Sequence, residues 1–284
     1  MCAIAGMLRG KEAAAFPAPE NILSTMRRRG PDSEGTFVSD REDNPLVTLY
    51  HARLAVIDPE NGRQPMLFPM SGKARYAIVY NGELYNTAQL KAELEALGHS
   101  FQTSADTEFV LHSFIEWKEK CLSKFNGIFA FAVWDCEEKQ LFLARARMGV
   151  KPLFFMLDGG RFLFASEIKT LLAFPGVKPQ IDSQGIAELM LCGPGRTPGC
   201  GVFKGVQELK AAQYAWIVPG GQPEIHRYWK LTPKPHTESF EETAAHVRSL
   251  VLDAISRQLV SDVPIGTFLS GGLDSSLISS VACD

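Results

Sequence analysis

Seven short apolar or alternating segments, each bounded by Gly, Pro, Asn or Asp, constrain the fold of this chain more than any other feature. Such segments predict β-strands with buried faces. They are Cys2–Leu8, Leu46–Arg53, Arg75–Asn81, Gly127–Trp134, Gln140–Ala144, Leu153–Met156 and Arg161–Ala165. Apolar residues at helical spacing predict helices over Thr87–Leu97, Thr107–Trp117 and Ser183–Leu191. Strands and helices on separate segments favour two packed sheets flanked by helices.

A second unit follows a linker whose last part, Leu231–Ser239, contains Pro233 and Pro235. We place a first domain at residues 2–218, a linker at 219–239 and a second domain at 240–284. A domain of the doubly wound type needs about 100 residues or more. We therefore expect residues 240–284 to be the beginning of a domain and not the whole of it.

Capping residues mark the helices on both sides of this linker. Asn86 and Gln89 have capping-box spacing before Thr87–Leu97, in which Leu90, Leu94 and Leu97 share a face. Ser239 and Glu242 have the same spacing. The second box precedes an amphipathic helix at 244–255 and a short apolar strand at 263–269. A glycine loop at 270–276 follows and opens a last helix.

Composition excludes two classes of function. A net charge of -3 provides no basic surface for nucleic acid. The sequence contains no run of about 18 apolar residues that would cross a membrane. Its six cysteines have neither CxxC nor zinc-site spacing, which is typical of thiols in a reducing cytoplasm. We expect a cytoplasmic globular protein.

Cys2 directly follows Met1 and is therefore a candidate nucleophile. Removal of Met1 places the thiol and a free α-amine on one residue. An α-amine has a pKa of about 7.7–8.0, so it can accept the thiol proton without a histidine. An inert thiol is the alternative, and it is favoured unless other parts of the chain supply a matching site.

The loop Ser270–Ser276 follows a predicted strand and opens a helix, which is the context of a phosphate site. Glycines allow the backbone to approach phosphate oxygens, and N–H groups at the helix start point toward the anion. Asp274 is a candidate magnesium ligand. The alternative is a simple strand–helix turn that Asp274 caps. The candidate phosphate-binding residues, which the resemblance described next assigns to ATP and pyrophosphate, are Leu269, Ser270, Gly271, Gly272, Asp274, Ser275 and Ser276.

Several motifs together carry a family resemblance. SGGLDSS at 270–276 resembles the pyrophosphate loop of the ATP-pyrophosphatase family. The motifs ahead of it resemble those of class II glutamine amidotransferases, and the whole series is similar to the glutamine-dependent asparagine synthetase family. In order they are Met1-Cys2, RGPD at 29–32, RLAVID at 53–58, YNGELYN at 80–86, SADTE at 104–108, FNGIFAF at 125–131 and GVKPL at 149–153.

This resemblance implies an α+β fold and a ligase activity. The first domain would be a four-layer α/β/β/α N-terminal-nucleophile sandwich, followed by the first elements of an α/β ATP-pyrophosphatase domain. Glutamine would be hydrolysed to glutamate and ammonia, and ammonia would amidate aspartate through a β-aspartyl adenylate. The implied cofactors are ATP and magnesium, and the implied small-molecule partners are glutamine and aspartate. The resemblance also makes a homodimer possible. We expect residues 1–284 by themselves to hydrolyse glutamine only.

The same resemblance implies roles in glutamine binding and catalysis. Arg53 would grip the α-carboxylate with two parallel hydrogen bonds. Asp106 and Glu83 would hold the α-ammonium, although Asp106 would otherwise be interpreted as a helix N-cap. Asn81 and Gly82 would form the oxyanion hole, although an Asn-Gly pair is typical of a hairpin turn. The remaining residues of the implied glutamine site are Leu54, Ala55, Val56 and Ile57.

Two departures and three alternatives remain open. Ala146 stands where the family usually has an acid, which would leave a neighbouring arginine without that partner. The second departure is the length of the second domain, and we expect the part that selects the acceptor to lie beyond Asp284. The chain could instead amidate a different carboxylate, or bind glutamine without turnover, although a scaffold has no need of Cys2. A β-lactam-forming relative would lack the terminal cysteine.

Overall fold

Two antiparallel sheets form the centre of the computed structural model, which describes residues 1–10, 16–39, 46–193 and 195–283. Each sheet has six strands among these residues. The first has the order β10 (Gln207–Glu208), β8 (Phe154–Asp158), β9 (Arg161–Ala165), β1 (Ala3–Arg9), β3 (Val47–Arg53) and β2 (Ser33–Val38). The second has the order β12 (Glu224–Arg227), β11 (Gln213–Ile217), β7 (Gln140–Arg145), β6 (Gly127–Asp135), β5 (Tyr76–Leu84) and β4 (Met66–Phe68).

Helices cover the outer faces of both sheets. Among the helices of the described residues, none combines the length and the apolar composition that crossing a membrane requires. The helices are α1 (Pro19–Met26), α2 (Thr87–Ala96), α3 (Asp106–Trp117), α4 (Cys121–Lys124), α5 (Ile168–Leu172), α6 (Ser183–Cys192), α7 (Phe240–Arg257) and α8 (Leu273–Cys283).

Three apolar clusters show how the layers stack. Ile4 of the first sheet and Val79 of the second belong to the cluster between the sheets. Helices α2, α3 and α4 pack on the second sheet, and α1 and α5 pack on the first. Burial of both faces of each sheet explains why the strands are apolar on both sides. The predicted four-layer α/β/β/α architecture is confirmed.

The Asn81-Gly82 pair lies inside a strand and not in a hairpin turn. Strand β5 continues beyond the predicted end at Asn81, which pairs with Ala130, while Gly82 pairs with Phe129. A β-carbon on Gly82 would lie 2.5 Å from the carbonyl oxygen of Ile128. Gly82 is therefore required by the close approach of β6, and the hairpin interpretation is wrong.

One predicted capping box is confirmed and the other is wrong. At α7, the Ser239 hydroxyl and the Glu242 carboxylate bond each other's backbone N–H groups. At α2, the Asn86 side chain makes no cap bond and instead donates to the carbonyl of Lys124, 3.0 Å away. The tertiary contact takes the side chain that local spacing would have used for the cap. Leu97, which was expected on the buried face of this helix, is exposed.

The predicted strand at 263–269 is absent, because these residues have no strand conformation. Phe268 in this segment is 99% exposed. A strand needs a neighbouring strand for its N–H and C=O groups, and no strand of the described residues pairs with this segment. Within the predicted linker, β12 pairs with β11, so part of it belongs to the second sheet.

Candidate functional site

A cavity opens where Cys2, the ends of β3 and β5, and the start of α3 meet. Its empty volume is about 560 Å³, including the part open to solvent. Of the predicted residues for glutamine binding and catalysis, all except Ala55 line it. Ala55 lies outside the lining, and its N–H donates to a carboxylate oxygen of Asp32. The lining residues are Met1, Cys2, Arg53, Leu54, Val56, Ile57, Gly62, Gln64, Tyr80, Asn81, Gly82, Glu83, Ala105, Asp106, Thr107 and Lys151.

The Cys2 thiol lies against the backbone of Leu54. Its Sγ accepts the Leu54 N–H at 3.4 Å and lies 3.6 Å from the Leu54 carbonyl oxygen. Burial raises the pKa of this thiol, so a base must remove its proton before it can attack. Burial also lowers the pKa of the terminal ammonium of Met1 in the same cavity. The site therefore favours a neutral amine next to a neutral thiol.

Arg53 organises the loop that follows β3. Its guanidinium donates to the carbonyl oxygens of Ile57 at 3.0 Å, Asp58 at 2.6 Å and Pro59 at 2.8 Å. A guanidinium carries five N–H donors. Three of them are used by these bonds, so two remain without a partner among the described residues. The loop bonds also hold the side chain in place, which lowers the entropy cost of gripping a carboxylate.

Asp106 begins α3, but its carboxylate does not cap the helix. The N-cap is Ala105, and no side chain caps this helix, so the N-cap interpretation of Asp106 is wrong. Asp106 Oδ2 instead accepts from the Tyr80 hydroxyl at 3.1 Å and from the Leu84 N–H at 3.2 Å. Burial raises the pKa of Asp106 to about 6, and nearby Glu83 acts in the same direction. A buried acid of this kind is suited to a cationic ligand.

Asn81 has a buried side chain without a protein partner. It is 1% exposed, and neither its Nδ2 nor its Oδ1 has a hydrogen-bond partner among the described residues. Unsatisfied buried amides are rare in native proteins and call for an explanation. Because Asn81 lines the cavity beside Cys2, its unpartnered amide is available to a molecule in the cavity.

Lys151 lines this cavity as well, although no sequence pattern predicted a role for it. It is 4% exposed, and its Nζ lies 4.0 Å from Glu83 Oε1. Burial lowers the pKa of Lys151, which Glu83 opposes. The available signal was a lysine inside the apolar run Val150–Leu153, since lysine is almost never fully buried unless it is paired. No role was predicted for Gly62, Gln64, Tyr80, Ala105 or Thr107 either. Tyr80, Ala105 and Thr107 lie within the motifs at 80–86 and 104–108, whereas local sequence carries no signal for Gly62 and Gln64.

Ala146 leaves neither neighbouring arginine without a partner. Arg145 pairs with Glu208 at 2.9 Å. Arg147 donates to the carbonyl of Ser123 at 2.8 Å. Ala146 itself is buried in the apolar cluster on the outer face of the second sheet. Both arginines therefore have partners without an acidic residue at position 146.

The loop Ser270–Ser276 lies on the surface and leads into α8. Gly271 has a φ of +82°, a left-handed conformation that favours glycine. The hydroxyls of Ser275 and Ser276 bond the carbonyl of Gly272, and the hydroxyl of Ser270 lies 2.9 Å from that of Ser275. Asp274 is exposed in the first turn of α8. Across the described residues, no three His, Cys, Asp or Glu side chains are grouped to hold a metal ion.

Comparison with known proteins places this geometry in a family. The model of the glutamine amidotransferase domain matches residues 1–229, and the model of asparagine synthase matches residues 246–283. Asparagine synthetase [glutamine-hydrolyzing] 3 of Bacillus subtilis is 48% identical over 99% of this chain and 45% of its own length. Asparagine synthetase [glutamine-hydrolyzing] 1 of the same organism is 34% identical over 99% of this chain and 44% of its own length.

A solved structure has the same fold at lower identity. Glutamine phosphoribosylpyrophosphate amidotransferase from B. subtilis, complexed with ADP and GMP, superposes with a TM-score of 0.57 at 21% identity. The superposition covers 80% of this chain and 49% of that one. The chain spans about half the length of these two curated relatives. Because the domain model matches 229 of its 284 residues, the chain belongs to the glutamine amidotransferase domain family.

Proposed function

We propose that this cavity hydrolyses the side-chain amide of glutamine to glutamate and ammonia. The observation that carries the proposal is the position of the Cys2 thiol, which shares one cavity with Arg53, Asn81 and Asp106. The thiol supplies a nucleophile, the amide of Asn81 a hydrogen-bond donor, and the two charged side chains a means of holding an amino acid. A glutamine-binding module without turnover would need the charged pair but not the thiol.

The first step forms a thioester. With Met1 removed, the α-amine of Cys2 takes the thiol proton, and Sγ attacks the amide carbon. Negative charge develops on the amide oxygen, where Asn81 Nδ2 and the Gly82 N–H act as donors. The protonated amine then gives its proton to the leaving nitrogen, and ammonia departs. Water attacks the thioester next and releases glutamate and the free thiol.

The amino-acid end of glutamine is held by charge. A remaining N–H group of Arg53 and the positive charge of its guanidinium bind the α-carboxylate, while Asp106 and Glu83 bind the α-ammonium. Leu54, Val56 and Ile57 also line the cavity. Binding of the ammonium lowers the pKa of Asp106, because a nearby positive charge stabilises the ionised carboxylate. The site therefore selects a free amino acid and disfavours a glutamine residue within a peptide.

For the whole protein we propose ATP-dependent amidation of aspartate through a β-aspartyl adenylate. The asparagine synthase match over residues 246–283 supports this. The helix start at α8 and the hydroxyls of Ser270, Ser275 and Ser276 suit pyrophosphate. Magnesium, held through the phosphates and Asp274, would neutralise charge on the leaving pyrophosphate. Amidation of another carboxylate remains the alternative. A cytoplasmic location and a homodimer remain predictions.

The test replaces the nucleophile and follows glutamate release. Cys2→Ala should abolish glutamine hydrolysis, because no other group in the cavity replaces the thiol. Cys192→Ala is the matched control, since Cys192 is exposed at the end of α6 and should leave the rate unchanged. Intact mass should show that Met1 is absent from active protein. Hydrolysis by Cys2→Ala, or full activity with Met1 retained, would contradict the proposal.

A further inference from the structure

Asp262 makes two hydrogen bonds to the loop that Arg53 organises. Its Oδ2 accepts the Asp58 N–H at 2.7 Å, across 204 positions of sequence. Its own N–H donates to the Val56 carbonyl at 3.1 Å. The two bonds lie on either side of Ile57, which lines the glutamine cavity. An exposed residue between α7 and α8 thus holds a loop of the first domain at two points.

Asp58 is the residue of this loop that most needs such support. Its φ is +44°, a left-handed conformation that residues other than glycine rarely adopt. Such a conformation persists only where surrounding contacts hold it. The Asp58 carbonyl accepts from Arg53 at 2.6 Å, Oδ1 from the Asn61 N–H at 3.0 Å, and Oδ2 from the Ser104 N–H at 2.9 Å. Asp262 supplies the acceptor for the remaining polar group, the backbone N–H.

These bonds join Asp58 to both ends of the amino-acid clamp. Through its carbonyl it fixes the guanidinium of Arg53. Through its carboxylate it holds Ser104, two residues before Asp106. A shift of Asp58 would therefore move the carboxylate-binding and ammonium-binding groups relative to each other. Small displacements of this kind weaken substrate binding without removing any group that contacts the substrate.

We propose that Asp262 is a positioning residue for the glutamine site, acting through the backbone of Asp58. The inference rests on the proposed glutamine hydrolysis. It assigns a task to the segment that leads into the phosphate-type loop, eight positions before Ser270. Movement of this segment would reach the glutamine clamp through the two hydrogen bonds of Asp262.

The experiment compares two substitutions at Asp262 with a control on the preceding helix. Asp262→Ala should raise the KM for glutamine about tenfold, the factor expected for one lost hydrogen bond to a charged group. Its kcat should stay within about twofold, because Cys2 and Asn81 are untouched. Asp262→Asn should have nearly wild-type KM, because its side-chain oxygen still accepts from Asp58. Asp253→Ala removes an exposed carboxylate that bonds Arg257 only within α7, and should change neither constant.

Hydrogen exchange at the Asp58 amide supplies a readout that does not depend on activity. Asp262→Ala should accelerate this exchange at least about tenfold, since the amide loses its acceptor. Unchanged KM and unchanged exchange in an active Asp262→Ala protein would overturn this inference and leave the proposed function standing. Equal losses in the alanine and asparagine variants would also overturn it. A wild-type protein without glutamine hydrolysis would overturn both.

Discussion

Asp106→Asn tests the proposed ammonium partner by removing one buried charge. The substitution keeps an oxygen that can accept from Tyr80 and Leu84, as Asp106 Oδ2 does now. Burial raises the pKa of Asp106 to about 6, so the carboxylate is ionised above that pH and neutral below it. Only the ionised form attracts an ammonium. Wild-type kcat/KM for glutamine should therefore be about tenfold lower at pH 5 than at pH 7.

The raised pKa of Asp106 also affects stability. The ionised carboxylate favours ammonium binding but destabilises the folded protein when no ligand is bound. The pKa of Asp106 rises from 3.8 to about 6 on folding, so the folded state binds the proton more tightly than the unfolded state. Stability from this group is then full below pH 4 and is lost as the pH rises toward 6. The difference between a pKa of 3.8 and one of about 6 corresponds to about 3 kcal/mol. Without glutamine at pH 7, Asp106→Asn should therefore unfold at a higher temperature than the wild type.

Steady-state glutamate release from pH 5 to 8 is the assay. At pH 7 the KM of Asp106→Asn should rise about 10- to 100-fold, the range for a lost hydrogen bond to a charged group. Its kcat/KM should lose the acid limb near pH 6. Asp135→Asn is the matched control, since Asp135 is a buried aspartate at the end of β6 whose Oδ1 accepts from the backbone N–H groups of Glu137 and Glu138. A wild-type kcat/KM that is flat from pH 5 to 7, or an Asp106→Asn KM within twofold of wild type, would refute the reasoning.

Two further predictions concern the oxyanion hole and the second domain. Asn81→Ala should lower kcat about 10²- to 10³-fold with little change in KM, because an oxyanion donor acts mainly in the transition state; an effect confined to KM in steady-state assays would contradict this role. In the 284-residue chain, residues 243–259 should exchange amide hydrogens faster than β6, because Ile255 is the one side chain of α7 that is buried. Equal protection of the two segments in hydrogen exchange measured by mass spectrometry would contradict this prediction.

Local sequence predicted the elements and the identity of much of the site. Apolar runs placed β9 at its observed bounds and β1 within one residue, because a strand that is buried on both faces is apolar along most of its length. The motif order predicted a shared site for Cys2, Arg53 and Asp106, and the structure brings these side chains to one cavity. Cys2 is a candidate nucleophile without any tertiary information, because its position directly after Met1 is what suggests the role.

Tertiary structure alone decided which partners these groups have. Arg53 bonds its own loop, and Asn86 bonds Lys124 instead of capping α2. Asn81 lies within β5 because β6 pairs alongside it, whereas the segment 263–269 has no such neighbour and forms no strand. Lys151 and Asp262 carried no assigned function until folding set them beside Glu83 and Asp58. Hydrogen bonds and burial depend on residues far apart in the chain, which local patterns do not encode.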